Sequence, residues 1–547
     1  MFVINIARRV RARWLFSCLL VFSVALLNGR GRAQDTGQDG PLIEPGGFAE
    51  ASAVNLRTEE QMRQAEALAP LAKETSTVPF MPTIDPELYR AAKSRASVLG
   101  PVQAQSTIQP APLTPLPILG SFEGVTQTLA GGVNPPDTHG AVGHTQFVEV
   151  VNQRVVVYNK TGNQLKSTGL GAFFGTSELI FDPRVVYDRE LRRWIVVATR
   201  ASTSSTDTVR RFFLAASKTS DATGAYFIYP VSFGGGPFNN GDWWDFPQLG
   251  IDHNAVLVTG NIFDTPEGGF KFAALMPIAK ARIYNGLAFN VAIFTGLVGT
   301  LAPPIVRDQN SASFFIAAPS HSTEEAPSNS SALIKYTLRY SGSIPALSGP
   351  VNIPVAPYSI PPSARQFGTT ALLDTSDGRF ENASTQIGND LWQAHTIAFD
   401  GTGHPSPISY QINTATNQVT RSQFFSASLT SDDWNASIAA NDSDLAVATW
   451  SSTDPAAGIN AQIRVNSGAT LTLPAPLFSG SALFTSPTFY QPVADSNFVR
   501  WGDYSAVTID PVDQNHAWIV NEKINSQSVW DSGFGQVTFP PTAPPSP

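Results

Sequence analysis

The chain has 547 residues and a formal net charge of −8, and charged residues make up only 14% of it. A mildly acidic surface without a basic stripe cannot neutralise a run of phosphates, so the composition argues against a nucleic-acid partner. With 42 glycines, 42 prolines and 34 phenylalanines, the sequence is typical of a turn-rich β protein.

Residues 1–33 have the pattern of a secretory signal peptide. Four arginines lie within residues 1–13, an apolar run follows at 14–27, and small residues mark a cleavage point near Ala33. The alternative is a membrane anchor, but the run is shorter than the roughly 20 residues that a spanning helix needs. We therefore expect a secreted or periplasmic protein without a membrane span. The only cysteine, Cys18, lies in this segment, so a mature chain without disulfides is expected, which fits a bacterial origin.

Residues 34–119 are predicted to form an N-terminal segment that is distinct from the main domain. Its composition changes along the chain: residues 35–55 are polar, Gly-rich and expected to be flexible, 58–73 and 85–98 favour helices, and 101–118 are Pro-rich and typical of an extended linker. In the second helix, Asp85 is the expected N-cap and Pro86 occupies the first helical position.

Residues 120–540 contain short β-type runs that alternate with Gly, Asn, Asp and Pro, and a Pro-rich tail follows at 541–547. One pattern recurs: an aspartate, a small or apolar stretch, and then Asp, Asn or His six to eight residues later, directly before a β-run. The aspartates that open the clear copies are Asp137, Asp182, Asp245, Asp433 and Asp503.

Two weaker copies fit at 303–319 and 379–397, which brings the number to seven over about 400 residues. Seven such copies predict an all-β, seven-bladed β-propeller. A jelly roll and a β-helix are the alternatives; the first would not repeat in this way, and the second would repeat at a shorter period.

Several of the repeated strings also resemble a known family. "PPDTHGAVGHTQFVEVVNQRVVVYN", "WDFPQLGIDHNAVLVTGNIF" and "RWGDYSAVTIDP" resemble segments of a family of secreted bacterial seven-bladed β-propeller proteins without an assigned activity. The resemblance extends over about 130–540. It implies the fold and not the function, because propellers include sialidases, lyases, lectins and dehydrogenases.

The repeated aspartates are expected to surround one mouth of the ring, and three roles are open to them. Each could fasten a loop by accepting backbone N–H groups. Several together could bind Ca²⁺ or Mg²⁺, which would relieve their repulsion. They could also bind or cleave a sugar, with aromatic side chains nearby as stacking surfaces. The candidate aromatic residues are Trp244, Trp434 and Trp501, for which packing between blades is the alternative.

Other polar residues extend this candidate site. Arg184, Arg379 and Arg500, with Tyr504 and Asp503, could imitate a sialidase site, although the sialidase aspartate box is missing and "DTSDGRFENA" at 374–383 is only a faint echo of it. His139, in a predicted mouth loop, could serve a polysaccharide lyase together with Tyr504.

The sequence therefore predicts a module that binds an extracellular ligand, most simply a glycan, at an acidic mouth flanked by aromatic residues. The candidate catalytic residues are Asp503, Tyr504, Arg500 and His139. The candidate ligand-binding residues are Asp137, Asp182, Arg184, Asp245, Trp244, Arg379, Asp433, Trp434 and Trp501. The alternative is a carbohydrate-active enzyme at the same mouth: a glycoside hydrolase, a sialidase-like enzyme or a polysaccharide lyase. A purely structural scaffold is a third interpretation.

Overall fold

The computed structural model describes residues 39–68, 80–98, 116–202, 204–264, 268–319, 330–398, 403–467, 477–478, 480–493 and 498–539. The predicted signal peptide, most of the predicted linker and the Pro-rich tail lie outside these residues. Within them, none of the helices has the length and apolar character that a membrane crossing requires.

Short strands and two helices come first in the described chain: β1 (Leu42–Ile43), β2 (Gly47–Ala51), β3 (Asn55–Arg57), α1 (Glu59–Leu68) and α2 (Pro86–Val98). They are followed by β4 (Ile118–Thr126). The first antiparallel sheet after β4 contains β5 (His139–Val142), β6 (Gln146–Val151), β7 (Arg154–Asn159) and β8 (Gln164–Gly169), with helix α3 (Leu170–Phe174) behind it.

Two similar sheets follow. The second contains β9 (Ile180–Asp188), β10 (Arg193–Arg200), β11 (Arg211–Ser217) and β12 (Tyr226–Gly234). The third contains β13 (Trp243–Ile251), β14 (Ala255–Phe263), β15 (Phe270–Ala279), the short helix α4 (Lys280–Ile283) and β16 (Phe289–Leu297).

The fourth and fifth sheets depart slightly from this order. The fourth is formed by β17 (Leu301–Ala302), β19 (Ala312–Ala317), β20 (Ser330–Ser341) and β21 (Ile344–Tyr358). Strand β18 (Pro304–Val306) precedes β19 but pairs with strands of the neighbouring sheets. Strand β22 (Leu372–Leu373) lies between the fourth and fifth sheets in the sequence. The fifth contains β23 (Ser384–Ile387), β24 (Asp390–Ala398), β25 (Pro405–Asn413) and β26 (Gln418–Ser426).

The sixth sheet contains β27 (Asp432–Ala440), β28 (Ala446–Asp454), β29 (Ile459–Ser467) and β31 (Ser481–Thr485), with a 3₁₀ turn at Pro455–Ala457 between β28 and β29. Strand β30 (Leu477–Phe478) lies between β29 and β31 in the sequence but pairs with β26 of the fifth sheet. After β32 (Phe498–Val499), which pairs with β22, the last sheet contains β33 (Ala506–Ile509), β34 (His516–Ser526) and β35 (Val529–Thr538).

The first strands of consecutive sheets lie side by side and form a ring. Strand β18 pairs in parallel with β13 and β23, because Ile305 lies opposite both Ile251 and Thr385. Around the rest of the ring, β5 contacts β9, β9 contacts β13, β23 contacts β27, β27 contacts β33, and β33 contacts β5. The described chain therefore has a propeller-like, all-β fold around one axis.

Strand β4 closes this ring. It precedes the first sheet in the sequence but forms the outer strand of the last one, where Ser121 lies opposite Gly535 of β35. The two ends of the ring are thus held in one sheet by backbone hydrogen bonds.

The core lies between neighbouring sheets. All nine residues of β14, "AVLVTGNIF", are buried, as expected for a strand covered on both faces. Residues of the second and third sheets share one apolar cluster, in which Ile195 and Val258 are both fully buried. The sheets are therefore packed face against face around the axis.

The N-terminal segment is part of this packing. Ala49 of β2 pairs with Phe233 of β12 on one side and with Val291 of β16 on the other, and β1 pairs with β21. The prediction of a flexible stretch at 35–55 is therefore wrong for these strands. Backbone groups at sheet edges accept a polar, Gly-rich partner as readily as an apolar one, so the composition gave no sign of the pairing.

Candidate functional site

The first strands of three sheets are bulged at a similar place. The pairing register shifts at 182–183 in β9, at 246–247 in β13 and at 435–436 in β27. The first residue of each bulge has a left-handed backbone, with φ of 51° at Asp182, 50° at Phe246 and 55° at Asn435. A bulge turns the next side chains away from the regular alternation of the strand.

Asp137, just before β5, has the same backbone conformation, with φ of 49°. Asp245 and Asp433 stand one and two residues before the bulged residues of their strands. The repeated aspartate of the sequence is therefore not one structural position. In addition, Asp182, Asp245 and Asp433 lie inside their strands and not ahead of them, because these strands continue through the bulge.

Asp433 is consequently held apart from the others. Its carboxylate accepts hydrogen bonds from the indole N–H of Trp450 at 2.8 Å and from the Ser431 hydroxyl at 2.5 Å. The backbone N–H of Ala427 donates to it at 3.2 Å. Burial raises its pKa to about 6. These contacts fasten a loop of the sixth sheet, which is the first of the three roles considered for the repeated aspartates.

Other predicted site residues converge near the bulges. We call this group the axial cluster; its members are Asp137, Asp182, Asp245, Asp503, Arg184, Arg379, Arg500 and Tyr504. The aspartates are all buried, from Asp137 at 0% to Asp503 at 8% exposed. They influence one another electrostatically: Asp503 acts on Asp137, Asp182 and Asp245.

Asp137 and Asn152 join the sheets on either side of the ring closure. The amide of Asn152 donates to Asp137 Oδ2 at 2.5 Å, and its carbonyl oxygen accepts the backbone N–H of Asp182 at 2.8 Å. The other oxygen of Asp137 accepts the backbone N–H of Asp503 at 2.8 Å. Asp137 therefore helps to hold the cluster together through its hydrogen bonds.

Tyr504 and Arg184 form the centre of the cluster. The Tyr504 hydroxyl donates to Asp182 Oδ2 at 2.5 Å, and the Arg184 guanidinium carbon lies 3.2 Å from the centroid of the Tyr504 ring. Arg184 donates to the backbone oxygens of Pro247 and Glu381, each at 2.8 Å, and to the side chain of Asn382 at 3.0 Å. The guanidinium of Arg184 therefore donates to uncharged acceptors, one in the third sheet and two in the segment just before the fifth.

The other two arginines hold carboxylates. Arg500 makes a bidentate pair with Asp503, with both N–O distances at 2.9 Å, and also reaches Asp374 at 3.0 Å. Arg379 makes a bidentate pair with Asp377, with both distances at 2.7 Å. Asp374 and Asp377 were missed by sequence reasoning, although both belong to the string "DTSDGRFENA".

Three aspartates of the cluster have raised pKa values; burial, and then the charges of Asp503 and Asp182, raise the pKa of Asp137 well above its usual range. Burial, and then the charges of Asp245 and Asp503, raise the pKa of Asp182 to about 8. Burial raises the pKa of Asp245 to about 7. The second oxygen of Asp182, Oδ1, has no hydrogen-bond partner among the described residues. The cluster therefore combines a carboxyl group that retains its proton near neutral pH with a carboxylate, Asp503, that is ion-paired to an arginine.

The predicted aromatic residues lie in the core. Trp244 is fully buried against Phe212 and Phe233. Trp434 and Trp501 are each 1% exposed and pack edge-to-face, with ring centroids 5.3 Å apart. All three indoles thus pack within or between sheets, which is the alternative considered for them.

Different aromatic residues border the arginines. The rings of Phe246 and Phe80 each lie 4.6 Å from the Arg379 guanidinium carbon. Phe246 is the bulged residue directly after Asp245, so its place in the repeat was the only signal for it. Phe80 belongs to the N-terminal segment and could not have been assigned to the site from the sequence.

His139 faces a cavity on the other side of the cluster. This axial cavity has a volume of about 250 Å³ and is lined by the first strands of all the sheets, with Val142, Val185, Ile251, Ile305, Ile438 and Val507 in its wall. The imidazole is half-buried, and its Nδ1 lies 3.4 Å from the backbone nitrogen of Val185. Burial and the charge of Arg184 hold the pKa of His139 well below 6.5, so the imidazole is neutral.

Residues 80–98, which we call the N-terminal cover, lie over the axial cluster. The Tyr89 hydroxyl donates to Asp374 at 3.1 Å, and the Lys93 ammonium donates to the Thr375 hydroxyl at 2.6 Å. The backbone N–H of Thr83 donates to Asp377 at 3.2 Å, and Arg379 donates to the backbone oxygen of Met81 at 2.8 Å. Helix α2 starts with Asp85 as its N-cap, which accepts the N–H of Glu87 at 2.8 Å.

Among the residues that the structure describes, no group of three or more His, Cys, Asp or Glu side chains is placed to hold a metal ion.

Comparison with known proteins adds little to this description. No protein-family model matches the chain, and no curated protein matches it in sequence. The family resemblance of the repeated strings therefore stays a prediction.

Solved structures give only distant matches. An exo-β-1,3-galactanase from Phanerochaete chrysosporium is 10% identical, with a TM-score of 0.29 over 74% of this chain and 94% of that one. A GH43 endo-arabinanase from Bacillus licheniformis is 12% identical, with a TM-score of 0.26 over 51% and 93%. A protein of unknown function from Dyadobacter fermentans is 10% identical, with a TM-score of 0.33 over 65% and 94%. Scores of this size are too low to establish a shared fold.

Proposed function

We propose that the chain is a secreted bacterial seven-bladed β-propeller that acts on an extracellular glycan, with the axial cluster as its active site. The closed ring of first strands, and its closure by β4, support the propeller. Export rests on the basic and apolar pattern of residues 1–33. The sequence favoured a binding module over an enzyme; the protonation of the cluster favours the enzyme.

One observation carries this choice. Asp182 and Asp503 are neighbouring carboxyl groups in opposite environments: the pKa of Asp182 is raised to about 8, whereas Asp503 is paired to Arg500 through two hydrogen bonds. Two carboxyl groups whose environments separate their proton affinities are the usual acid and base of glycoside hydrolysis. Asp433, which holds a loop outside the cluster, has a pKa that burial raises only to about 6 and has no second carboxyl group paired beside it among the described residues.

The roles follow from protonation. Asp182 is the general acid: its proton passes to the glycosidic oxygen as the bond to the leaving sugar breaks. Asp503 is the carboxylate that stabilises the developing positive charge, and it either attacks the anomeric carbon or activates the water that does so. Tyr504 is a positioning residue, because its hydroxyl holds Asp182 and its ring packs on Arg184.

The cluster suits a neutral or cationic sugar better than an anionic one. A sialidase-like site needs arginines that are free to bind the substrate carboxylate, but Arg379 and Arg500 already hold Asp377 and Asp503. A lyase that uses His139 with Tyr504 is disfavoured for a similar reason, because the Tyr504 hydroxyl is engaged by Asp182.

The test is turnover of a glycan panel by the full chain, measured as release of reducing ends. We expect Asp182→Asn and Asp503→Asn each to lower turnover about 100- to 10,000-fold, as removal of an acid or base group does. Asp433→Asn is the matched control, since it changes a buried aspartate outside the cluster, and it should retain activity.

Two results would contradict the proposal. Binding of a glycan without turnover would return the protein to the class of binding modules. Equal losses in the three variants would mean that the aspartates act through folding alone.

A further inference from the structure

The N-terminal cover has two different faces. Thr83, Ile84, Tyr89, Ala92 and Lys93 are each less than 10% exposed and face the ring, where Ile84, Tyr89 and Ala92 form an apolar cluster with Ile360. In contrast, Glu87, Arg90, Ala91 and Ser94 are exposed. The cover therefore closes the mouth with one face only, as a docked segment does.

The buried face carries groups that resemble those of a sugar ligand. A hydroxyl, from Tyr89, meets the carboxylate of Asp374. The centroid of the Phe80 ring lies 4.6 Å from the guanidinium carbon of Arg379 and 5.4 Å from that of Arg500. Hydroxyl groups and a flat apolar face are the features by which proteins bind sugar rings.

Lys93 is the most informative of these groups. Its side chain is buried, with its ammonium 2.6 Å from the Thr375 hydroxyl and 4.0 Å from Asp374. Burial lowers its pKa to about 8, while Asp374, Asp377 and Glu381 oppose this by attraction. A buried ammonium is stable only where carboxylates compensate it. The Thr375 hydroxyl and the Asp374 carboxylate under the cover are therefore the groups that surround a cation at this position.

Glu381 is buried beside these carboxylates and favours its protonated form. Burial and the charge of Asp503 raise the pKa of Glu381 well above its usual value, in spite of Arg379 nearby. Its Oε2 atom has no hydrogen-bond partner among the described residues. Arg379 and Arg500 pair with three carboxylates, those of Asp374, Asp377 and Asp503, and Lys93 lies 4.0 Å from Asp374. Without Lys93, a cationic ligand could take its place beside Asp374.

We propose that residues 80–98 are an autoinhibitory segment that occupies the place of the glycan, and that the natural glycan carries a free amino group where the Lys93 ammonium lies. The ligand class is therefore a polymer of amino sugars with unacetylated amines. This inference rests on the proposed function, and its test separates the two.

The first experiment measures whether the cover opens. Lys93→Asp places a negative charge against the pocket, and Arg90→Asp makes the same change of charge on the exposed face of the same helix. Hydrogen exchange of the full chain should become at least about tenfold faster in 86–94 and 374–382 for Lys93→Asp only. Equal exchange in the two variants would overturn the autoinhibitory role.

The double variant Tyr89→Phe/Lys93→Met provides a second route, because it removes both polar contacts and introduces no repulsion. It should expose the same two stretches to exchange. If Lys93→Asp does not fold, this variant decides whether the cover is displaceable, and protection as in the wild type would overturn the proposal.

The second experiment measures the ligand class with two probes that share a backbone: glucosamine oligomers and N-acetylglucosamine oligomers. The double variant should bind the glucosamine oligomers at least about tenfold more tightly than the wild type does, and at least tenfold more tightly than the acetylated oligomers.

Two other binding results would distinguish the amino-sugar inference from the proposed glycan function. Equal gains for both oligomers would overturn the amino-sugar inference and leave a glycan function intact. An opened mouth that binds neither oligomer would overturn the inference, and the turnover panel would then show whether the proposed function fails with it.

Discussion

The two ends of the axis are built from the same strands and differ in almost every property. At the bulged end, the axial cluster brings arginines, aspartates and a tyrosine together, and the N-terminal cover lies over it. At the other end, residues such as Val142, Ile251 and Val507 surround a cavity of about 250 Å³. The polar end coincides with a short irregularity in three of these strands, β9, β13 and β27.

The bulges explain the difference. Along a regular strand, alternate residues face the neighbouring sheets, and the apolar wall of the cavity follows that alternation. At Asp182 and Phe246 the backbone turns left-handed and breaks it, so polar side chains meet at the axis. Burying so many charges is costly unless they are paired. We infer that the cost is retained for function at this end, while the cavity end contributes stability.

The largest effect should come from unpairing the cluster. Arg500→Met leaves Asp374 and Asp503 buried without their shared cation, so we expect a loss of about 3–5 kcal/mol in the free energy of unfolding. Denaturant titration measures it. A loss below about 1 kcal/mol would show that these carboxylates do not depend on Arg500.

At the cavity end, truncating an isoleucine to alanine should lower the free energy of unfolding less than the same truncation does in the core. Ile251→Ala removes atoms beside existing space, whereas Ile195→Ala opens a new void in the same apolar cluster. We expect losses near about 2 kcal/mol and near about 4 kcal/mol respectively, within the range of such substitutions. Denaturant titration of both variants checks this, and equal losses would mean that the cavity wall is packed as tightly as the core.

The protonation of the cluster should appear in the pH dependence of stability. The folded chain holds protons on Asp182, with a pKa of about 8, and on Asp245, with a pKa of about 7. An unfolded aspartate releases its proton near pH 4. Unfolding therefore releases protons between pH 4 and 8, and stability must fall as the pH rises through 6 to 8.

The slope is at most about 1.4 kcal/mol per pH unit for each carboxyl group. Denaturant titrations at pH 6, 7 and 8 measure it. A stability that rises over this interval would show that these carboxyls are not protonated in the folded state.

The smallest effect belongs to the rim of the cavity. Arg189 pairs there with Asp442, but their side chains are 33% and 46% exposed. Arg189→Met should therefore cost less than about 1 kcal/mol by denaturant titration, as exposed ion pairs do. A loss comparable to that of Arg500→Met would remove the contrast between the two ends.

Part of this architecture could be predicted from the sequence. Alternating β-runs and the repeat indicated an all-β propeller, and eight of the thirteen predicted site residues meet in the axial cluster. The other five, His139, Asp433 and the three tryptophans, do not. Asp433 could not be separated from Asp245 by pattern, because a bulge that differs by one residue redirects a side chain without changing the local sequence.

The remaining residues depended on long-range packing. Asp374 and Asp377 reach the cluster through ion pairs with Arg500 and Arg379, and Lys93 reaches it from a helix more than two hundred residues earlier in the chain. No local periodicity reports such contacts. The three tryptophans were plausible stacking surfaces in sequence, but a large apolar ring gains more from burial between sheets than from exposure at a mouth.

We propose that the axial cluster is a functional site, whereas Asp433 only holds a loop in place. The most direct test is the unfolding free energy of Asp182→Asn at pH 9, where the wild type must ionise a buried carboxyl beside Asp245 and Asp503. Asparagine retains the acceptor for Tyr504 and tolerates the left-handed backbone, so we predict a variant that is more stable than the wild type and inactive. Asp433→Asn should instead lose stability, because its carboxylate satisfies several donors. If Asp182→Asn is destabilised at pH 9 as Asp433→Asn is, the cluster has a structural role and is not the proposed active site.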